Sequence, residues 1–499
     1  MKYLLFILTL SFSFSVNAQT LTWSAEFPVT GGSSYNNVRP RIALTTGNTP
    51  IIMWGDDVNN VVYTAKWNGS GFTAPLKIHS DSIDVFTSYW AGPEFEAAGD
   101  TVFIGLKVLP EADNGVYSVR STDGGVTFDD TVRIDNIGDS LARFPTVAIA
   151  DGGNPVFSYM KFDPNWMDAQ YTVVESMDGG DTFEKDVEAG LLVTGEACDC
   201  CPAAIKAEGQ RHVLMFRNND NNLREMWFAY SDDEGMTFTG SGNVDTTDWI
   251  IFSCPSSGPD FIFSGNTIHS TWMSSGDGGA SKVYVGTYDI GTSQILYHNT
   301  ISSVMPVANY QNYSRMDGEP GMLGVVLQHT NFGNTDVLFA SSLAGTAGLV
   351  DNFDTVNIST TGSQQSPDIA YADGTFHIVW QDQETGDVIY RSATDSSFVP
   401  DTSGNNPNSV LNPLGSVPGM QVSISPNPFN DFTTLIIKRK NIGFYSVDIF
   451  DASGKIVRRY SNQKSNELTI KRGELPGGMY FYKLNGSEYI ASGKFVISE

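Results

Sequence analysis

Four cysteines are the residues of this sequence whose type and spacing most directly suggest chemistry. Three of them lie in residues 196–202, which read Glu-Ala-Cys-Asp-Cys-Cys-Pro, and the fourth is Cys254. Outside the cytoplasm, an even number of cysteines indicates disulfide bonds first, and four allow three connectivities. We expect bonds among Cys198, Cys200, Cys201 and Cys254, either between Cys201 and Cys254 on adjacent repeats or between the neighbours Cys200 and Cys201. The alternative is a metal site with the same four thiolates as ligands.

A second set of candidates is charged and lies near the ends of short apolar segments. Several segments follow an X-Pro pair, as at Arg39-Pro40, Phe144-Pro145, Cys201-Pro202 and Ser366-Pro367, with Gly92-Pro93, Cys254-Pro255 and Glu319-Pro320 as looser matches. A face with several arginines and carboxylates suits an anionic sugar. For each residue alone, an ordinary loop charge in water is the alternative. The catalytic candidates are Arg39, Asp56, Arg217, Arg315, His329 and Asp382.

An octapeptide that occurs three times organises the middle of the chain. Its copies are 121–128, 176–183 and 231–238, and successive copies begin 55 residues apart. A fixed period indicates stacked supersecondary units. In each copy an Asp can accept hydrogen bonds from nearby backbone N–H groups, and a following Gly can take positive φ, as a hairpin turn requires. The repeated positions are Ser121, Asp123, Gly125 and Phe128; Ser176, Asp178, Gly180 and Phe183; and Ser231, Asp233, Gly235 and Phe238.

This octapeptide resembles the Asp-box of sialidase-type β-propellers, written S-x-D-x-G-x-T-F or W. The resemblance implies four-stranded blades and a structural, peripheral role for the three Asp residues. Strand-sized segments give seven units of roughly 50 residues, whereas sialidases have six blades. Residues 21–29 read as a lone strand that can close the ring by joining the last blade. We expect an all-β fold: a seven-bladed, alternatively six-bladed, β-propeller followed by a small C-terminal β-sandwich.

Composition and the N-terminus indicate export. The chain has 499 residues and a net charge of −27, and such acidity argues against nucleic acid as a partner, because phosphates need Lys and Arg. Lys2, the apolar run 3–16 and Val16-Asn17-Ala18 have the form of a signal peptide cleaved after residue 18. No other run is long and apolar enough to span a bilayer, so we predict no transmembrane segment.

The C-terminal region has a different composition. Residues 421–499 contain 11 Lys+Arg and 7 Asp+Glu, a net charge of +4. Its motifs look like the type A sorting domain of the type IX secretion system; they lie at 423–429 (Ser-Ile-Ser-Pro-Asn-Pro-Phe), 447–455, 475–480 and 493–497. The resemblance implies the type IX machinery as a partner, removal of the tail, and surface attachment or release. The predicted domains are the signal peptide 1–18, an Asp-box propeller 19–398, a linker 399–420 and the sorting domain 421–499.

These features predict a secreted or outer-surface, sialidase-like propeller that binds extracellular glycan. One option is an enzyme that also cleaves the glycan, as a glycoside hydrolase or a polysaccharide lyase. The alternative is a non-catalytic recognition or adhesion propeller with a disulfide-stabilised mouth. Residues 41–43 match the Arg-Ile-Pro signature of sialidases only in part, since Ala43 replaces the proline, and the sequence shows no Tyr–Glu pair of the kind that sialidases use. The resemblance therefore implies the fold rather than sialidase activity.

Overall fold

The chain forms β-sheets in two units, one within Met1–Pro400 and one within Asp401–Glu499. A computed structural model describes residues 21–31, 36–113, 115–304, 309–319, 321–395, 421–425, 427, 429–438, 445–450, 456–473, 475–486 and 490–498. The predicted signal peptide and linker lie outside these residues. Among the residues described, no helix is both long and apolar enough to cross a membrane.

The described part of the first unit contains seven antiparallel sheets, which follow one another along the chain. The first sheet has β3 (Asn37–Thr45), β4 (Thr49–Asp56), β5 (Val61–Lys66) and β6 (Leu76–Lys77); the second has β7 (Glu94–Ala98), β8 (Thr101–Lys107), β9 (Val116–Ser121) and β10 (Val132–Arg133); the third has β11 (Leu141–Ile149), β12 (Pro155–Phe162), β13 (Gln170–Glu175) and β14 (Val187–Glu188). The fourth has β15 (Glu196–Ala197), β16 (Ala204–Glu208), β17 (Arg211–Asn219), β18 (Met226–Ser231) and β19 (Gly240–Asn243).

The remaining three sheets have the same plan. The fifth has β20 (Asp260–Ser264), β21 (Thr267–Ser274), β22 (Lys282–Asp289) and β23 (Gln294–Thr300); the sixth has β24 (Asn309–Glu319), β25 (Met322–Asn331), β26 (Asn334–Ser342) and β27 (Phe353–Thr355); the seventh has β28 (Gln364–Ala372), β29 (Thr375–Asp382) and β30 (Val388–Asp395), joined by β1 (Leu21–Trp23) and β2 (Phe27–Pro28). Two 3-10 helices, Gly190–Leu192 and Thr346–Leu349, lie in connections.

The first strands of the seven sheets touch one another in a cycle. Contacts run from β3 to β7, β11, β16, β20, β24 and β28 in turn, and β28 contacts β3 again. The N-terminal segment pairs with the last sheet, with Leu21 opposite Asp395, as predicted, although it forms two short strands instead of one. This cyclic arrangement of antiparallel sheets is that of a β-propeller, and the predicted all-β fold is confirmed.

Most sheets are covered on both faces by their neighbours, which explains the apolar second strands. In β4 every residue after Thr49 is buried, and such strands read as continuous apolar runs instead of alternating ones. Trp54, Trp272 and Trp380 end these runs at equivalent places and are among the largest fully buried side chains.

Four first strands contain a bulge close to where they begin. The pairing register shifts between Val38 and Arg41 in β3, and at the corresponding places in β11, β24 and β28. An extra residue in a strand redirects the side chains beside it. Each of these strands also has one non-Gly residue with a left-handed backbone at the bulge: Arg39 (φ 49°), Phe144 (55°), Tyr313 (48°) and Ser366 (50°). Such a backbone is strained, so its occurrence in all four strands indicates that the surroundings fix this position.

The fifth sheet begins later than the sequence predicted. Cys254-Pro255 was expected at its start, whereas β20 begins at Asp260, directly after Gly258-Pro259. A Cβ atom on Gly258 would lie 2.0 Å from the backbone oxygen of Pro202, so Gly258 packs beside the corresponding segment of the fourth sheet. Cys254 is therefore in the preceding loop and is not equivalent to Cys201.

The described part of the second unit forms two sheets around one core. One sheet has β31 (Gln421–Ser425), β32 (Phe432–Lys438) and β35 (Glu467–Lys471), and the other has β33 (Tyr445–Phe450), β34 (Ile456–Gln463), β36 (Gly478–Gly486) and β37 (Ile490–Ile497). Buried side chains from both sheets pack together, including Leu435, Ile470, Val447 and Phe495. The unit is a β-sandwich, as predicted.

Candidate functional site

The starts of several first strands meet at a pocket of about 40 Å³, which we call the mouth. Its lining combines charged and aromatic side chains from distant parts of the chain, among them Arg39, Arg41, Tyr89, Glu94, Tyr313 and Arg315. The bulges in β3 and β24 place Arg39 and Tyr313 there. Residues far apart in sequence thus become neighbours because each sheet contributes the same end of its first strand.

Glu94 is the centre of a buried ion-pair network on the floor of the mouth. Its carboxylate pairs with Arg39, with the Nε of Arg41 at 3.2 Å and with an Nη of Arg315 at 3.2 Å. Arg315 also binds Asp368 at 2.8 Å and Asp260 at 3.5 Å. Buried charges are stable only when they are paired in this way.

The network fixes the protonation state of Glu94. Burial alone would raise the pKa of this carboxyl, but the guanidinium groups of Arg315, Arg39 and Arg41 outweigh it and hold the pKa well below its usual range. Burial and the neighbouring cation Arg41 lower the pKa of Arg39 to about 9. Glu94 is therefore an anion at neutral pH and cannot supply a proton as a general acid.

The three carboxylates of the network share a sequence signal that was overlooked. Each directly follows a proline at the start of a first strand, as in Pro93-Glu94, Pro259-Asp260 and Pro367-Asp368. Gly92-Pro93 and Ser366-Pro367 are among the predicted X-Pro pairs, whereas Gly258-Pro259 is not, and none of the three acidic residues was a predicted site residue. Their common position brings all three to Arg315, which was predicted.

Aromatic rings and unpaired donors lie above this floor. Tyr89 is 51% exposed, and its ring meets that of Tyr313 edge to face with centroids 6.5 Å apart. Two buried polar atoms of mouth residues, the Nε of Arg39 and the hydroxyl of Ser314, have no hydrogen-bond partner among the described residues.

A larger cavity of about 330 Å³ lies further along the same first strands. Its lining is acidic with one lysine: Lys206 pairs with Glu96 at 3.4 Å, and Asp317 accepts a 2.6 Å hydrogen bond from the backbone N–H of Tyr371. Burial raises the pKa of Asp317 to about 7, although Lys206 opposes the shift. Asp317 therefore titrates near neutral pH.

Of the six predicted catalytic residues, only Arg39 and Arg315 line the mouth. Asp56 and Asp382 instead cap turns at the ends of β4 and β29, where they accept hydrogen bonds from the N–H groups of Asn59 (3.0 Å) and Glu384 (2.9 Å). Both lie at second-strand ends, which the structure does not bring to the mouth.

The other two predicted catalytic residues are also held elsewhere. Arg217 is fully buried and donates to the backbone oxygen of Met273 at 2.6 Å. His329 lies 3.4 Å from the side-chain nitrogen of Asn309, and burial lowers its pKa. Neither residue lines the mouth or the larger cavity, so the geometry gives neither a part in chemistry there.

The three octapeptides form the same hydrogen-bonded turn after the third strand of their sheets. In the first copy, the Ser121 hydroxyl donates to Asp123 at 2.8 Å and accepts from the N–H of Gly125 at 2.8 Å. Asp123 also accepts from the hydroxyl of Thr127 at 2.6 Å. These bonds lower the pKa of Asp123 to about 2. The copies at Asp178 and Asp233 repeat the pattern, which makes all three Asp residues structural.

Cys198, Cys200 and Cys201 converge in a buried group, the thiol cluster. The sulfur of Cys198 lies 3.0 Å from that of Cys201 and 3.7 Å from that of Cys200, whereas a disulfide bond is about 2.05 Å long. All four cysteines are free, so the structure does not contain the predicted disulfide bonds. The expected Cys201–Cys254 bridge assumed equivalent positions, and Cys254 is instead exposed in the loop before β20.

Comparison of the sequence with protein-family models identifies the tail. Residues 423–498 match the family of the secretion system C-terminal sorting domain. The second unit is therefore a sorting domain. Its presence marks the chain for export by type IX secretion to the cell surface or the medium, and the predicted localisation is confirmed.

The first motif of the sorting domain, 423–429, contacts its last motif, 493–497. The side-chain oxygen of Asn427 accepts a 2.7 Å hydrogen bond from the N–H of Val496. Phe429 forms a backbone bridge with Ile497, and its ring packs against Phe495 with centroids 5.6 Å apart. The first and last motifs of the sorting domain are thus one packed structure.

No curated protein is significantly similar to the chain in sequence. Among solved structures, a Dyadobacter fermentans protein of unknown function matches with a TM-score of 0.44 at 10% identity, over 75% of this chain and 99% of that chain. A Trypanosoma rangeli sialidase in complex with sialic acid has a TM-score of 0.42 at 11% identity, over 97% and 93%. An α-L-arabinofuranosidase from Fusarium graminearum has 0.39 at 10%, over 74% and 96%.

Proposed function

We propose that the first unit is a seven-bladed propeller whose mouth binds a carboxylate-bearing glycan outside the cell. The observation that carries this proposal is the set of three guanidiniums, of Arg39, Arg41 and Arg315, in the lining of a pocket with the exposed Tyr89. A carboxylate-bearing sugar offers an anionic group for the guanidiniums and an apolar ring face for Tyr89.

The charge of the mouth favours an acidic sugar over a neutral one. Its lining has three arginines, Arg39, Arg41 and Arg315, and one carboxylate, Glu94, although the whole chain carries −27. A guanidinium binds a carboxylate in a planar, directional geometry that an ammonium group lacks. Asp260 and Asp368, which also pair with Arg315, are not part of the lining of the mouth. The lining therefore presents mainly guanidiniums, which favour an anionic ligand at this place on an acidic protein.

The same geometry favours binding over cleavage. Glycoside hydrolysis needs two carboxyl groups at a defined separation, one of which is protonated as the acid. Glu94 is the one carboxylate in the described lining of the mouth, and three guanidiniums hold it as an anion. The recognition alternative is therefore the function that this site supports best.

Binding of the full chain to size-matched acidic and neutral oligosaccharides tests this proposal. We expect binding of oligogalacturonate and no binding of a neutral glucan at the same concentration. Tyr89→Ala should weaken binding about two- to tenfold, since an aromatic contact contributes roughly 0.5–1.5 kcal/mol. Tyr310→Ala is the matched control, because Tyr310 is 45% exposed on β24 and lies outside the mouth.

Product analysis of the same mixtures separates a binder from an enzyme. Intact oligosaccharide after prolonged incubation agrees with recognition. Shortened products that disappear in Glu94→Gln would replace the binding proposal with an enzymatic one. Equal affinity for acidic and neutral sugars would contradict the proposal that the arginines of the mouth bind the carboxylate of the glycan.

A further inference from the structure

The thiol cluster brings three sulfur atoms together beside the mouth. Cys198, Cys200 and Cys201 are all buried, and their sulfur atoms lie within 4.8 Å of one another. The next residues, Pro202 and Ala203, line the mouth. The binding proposal gives these thiols no role, and a disulfide bond would use only two of the three.

Two buried cations without carboxylate partners flank the cluster. Arg224 is 7% exposed, and an Nη of its guanidinium lies 2.8 Å from the sulfur of Cys198. Arg217 is fully buried and donates to backbone oxygens, at 2.6 Å to Met273 and at 3.3 Å to Arg224. Neither forms an ion pair with a carboxylate in the part of the chain that the structure describes.

These cations require negative charge nearby. An uncompensated buried charge is strongly destabilising. Thiolates at the cluster supply that charge, whereas a Cys198–Cys201 disulfide would be neutral and would leave Arg224 without an anionic partner. The surroundings therefore favour thiolates over a disulfide bond.

We propose that the thiol cluster binds one soft monovalent cation of the Cu(I) class, with Cys198, Cys200 and Cys201 as its three ligands. Thiolates select soft cations over hard ones such as Mg²⁺ and Ca²⁺. Each thiol that becomes a ligand gives up its proton to solvent. No oxidation or reduction takes place in this step.

Charge and ligand number distinguish this cation from Zn²⁺. Three thiolates balance one monovalent cation and the guanidiniums of Arg217 and Arg224, while Zn²⁺ would leave a buried positive charge. Structural zinc sites almost always have four ligands. The possible ligand atoms of Cys254 and Asp199 lie within 4.8 Å of the sulfur of Cys200, but they do not form one group with the sulfurs of Cys198 and Cys201. Both residues are exposed.

Anaerobic titration of the reduced full chain with Cu(I) tests the site. The probe is Cu(I) supplied as its acetonitrile complex in competition with a chromogenic Cu(I) chelator. We expect one Cu(I) per chain, bound more tightly than Zn²⁺ under the same conditions. Cys198→Ser and Cys200→Ser each remove a ligand, so each should weaken Cu(I) binding by more than the about 10–100-fold that loss of an outer-shell partner causes. Cys254→Ser is the matched control and should bind like the wild type.

Two further measurements keep the proposal testable if a cysteine variant does not fold. X-ray absorption of the wild-type Cu(I) complex should show a shell of three sulfur atoms. Mass spectrometry without reduction, on chain taken from the cell surface, should find no bond between Cys198 and Cys201. Absence of stoichiometric Cu(I) binding, a two-sulfur shell, tighter binding of Zn²⁺, a Cys198–Cys201 disulfide, or equal loss in Cys254→Ser would each overturn the proposal.

Discussion

The octapeptide turns and the mouth are built from similar polar residues but in opposite ways. In each turn, one Asp and one Ser bind groups within four positions along the chain, as Asp123 does with Thr127. In the mouth, Arg315 binds Glu94 and Asp368 from other sheets. The turn forms within eight consecutive residues, whereas the mouth forms only where the first strands of several sheets meet.

This difference predicts where substitutions have the largest effect. All nine tryptophans precede residue 400, so tryptophan fluorescence reports the unfolding of the first unit within the full chain. Denaturation followed in this way gives the free energy of unfolding for each variant below.

Glu94→Gln should have the largest effect. The substitution leaves three guanidiniums without their shared anion, and breaking a buried ion pair costs about 3–5 kcal/mol. Glu96→Gln is the control on the same strand, because Glu96 is half-buried and pairs only with Lys206 among the described residues. Its cost should be about 1 kcal/mol or less. Similar losses in both variants would show that the network is not what stabilises the mouth.

Ser176→Ala should have an intermediate effect. Ser176 is fully buried, and its hydroxyl accepts the N–H of Gly180 at 2.7 Å. Leaving this donor unpaired costs about 1–3 kcal/mol. Met177→Ala changes an exposed neighbour and should stay within about 0.5 kcal/mol of wild type. If Ser176→Ala left the free energy of unfolding unchanged, the turn would not depend on its hydrogen bonds.

Asp317 should give the ring a stability that declines as pH rises. Its pKa in the folded chain is about 7, above the unfolded value, so the folded state holds an extra proton between the two. The contribution is complete below about pH 4, is lost as pH rises through 7, and amounts to roughly 4 kcal/mol for a shift of about three units. Asp317→Asn should reduce the loss of stability between pH 5 and pH 8. If Asp317→Asn lost as much stability between pH 5 and pH 8 as the wild type, the raised pKa of Asp317 would be contradicted.

The turn carboxylates should show the opposite and smallest dependence. Hydrogen bonds lower the pKa of Asp178 to about 2, so its contribution is present above about pH 4 and is lost as pH falls towards 2. Asp178→Asn should flatten the acid limb of the stability profile and leave the range from pH 5 to pH 8 unchanged. A change in the free energy of unfolding that is confined to neutral pH would contradict a lowered pKa for Asp178.

Sequence reasoning succeeded where the signal itself is a short segment. The turn around Asp178 and the strand at Leu21 were each predicted from consecutive residues, and the structure forms both, although Leu21 pairs with the distant Asp395. It failed for Glu94, Asp260 and Asp368, whose proximity depends on contacts between the first strands of different sheets. Asp56 and Asp382 were predicted from their position near the ends of apolar segments, and each caps its own turn.

The mouth as a ligand site is tested most directly by comparing two exposed tyrosines. Tyr89 is 51% and Tyr310 is 45% exposed, and of the two only Tyr89 lines the mouth. Titration calorimetry with an acidic oligosaccharide should show about two- to tenfold weaker binding for Tyr89→Ala, as loss of one aromatic contact implies. Tyr310→Ala should bind like the wild type. Equal affinity of the two variants would contradict binding at the mouth.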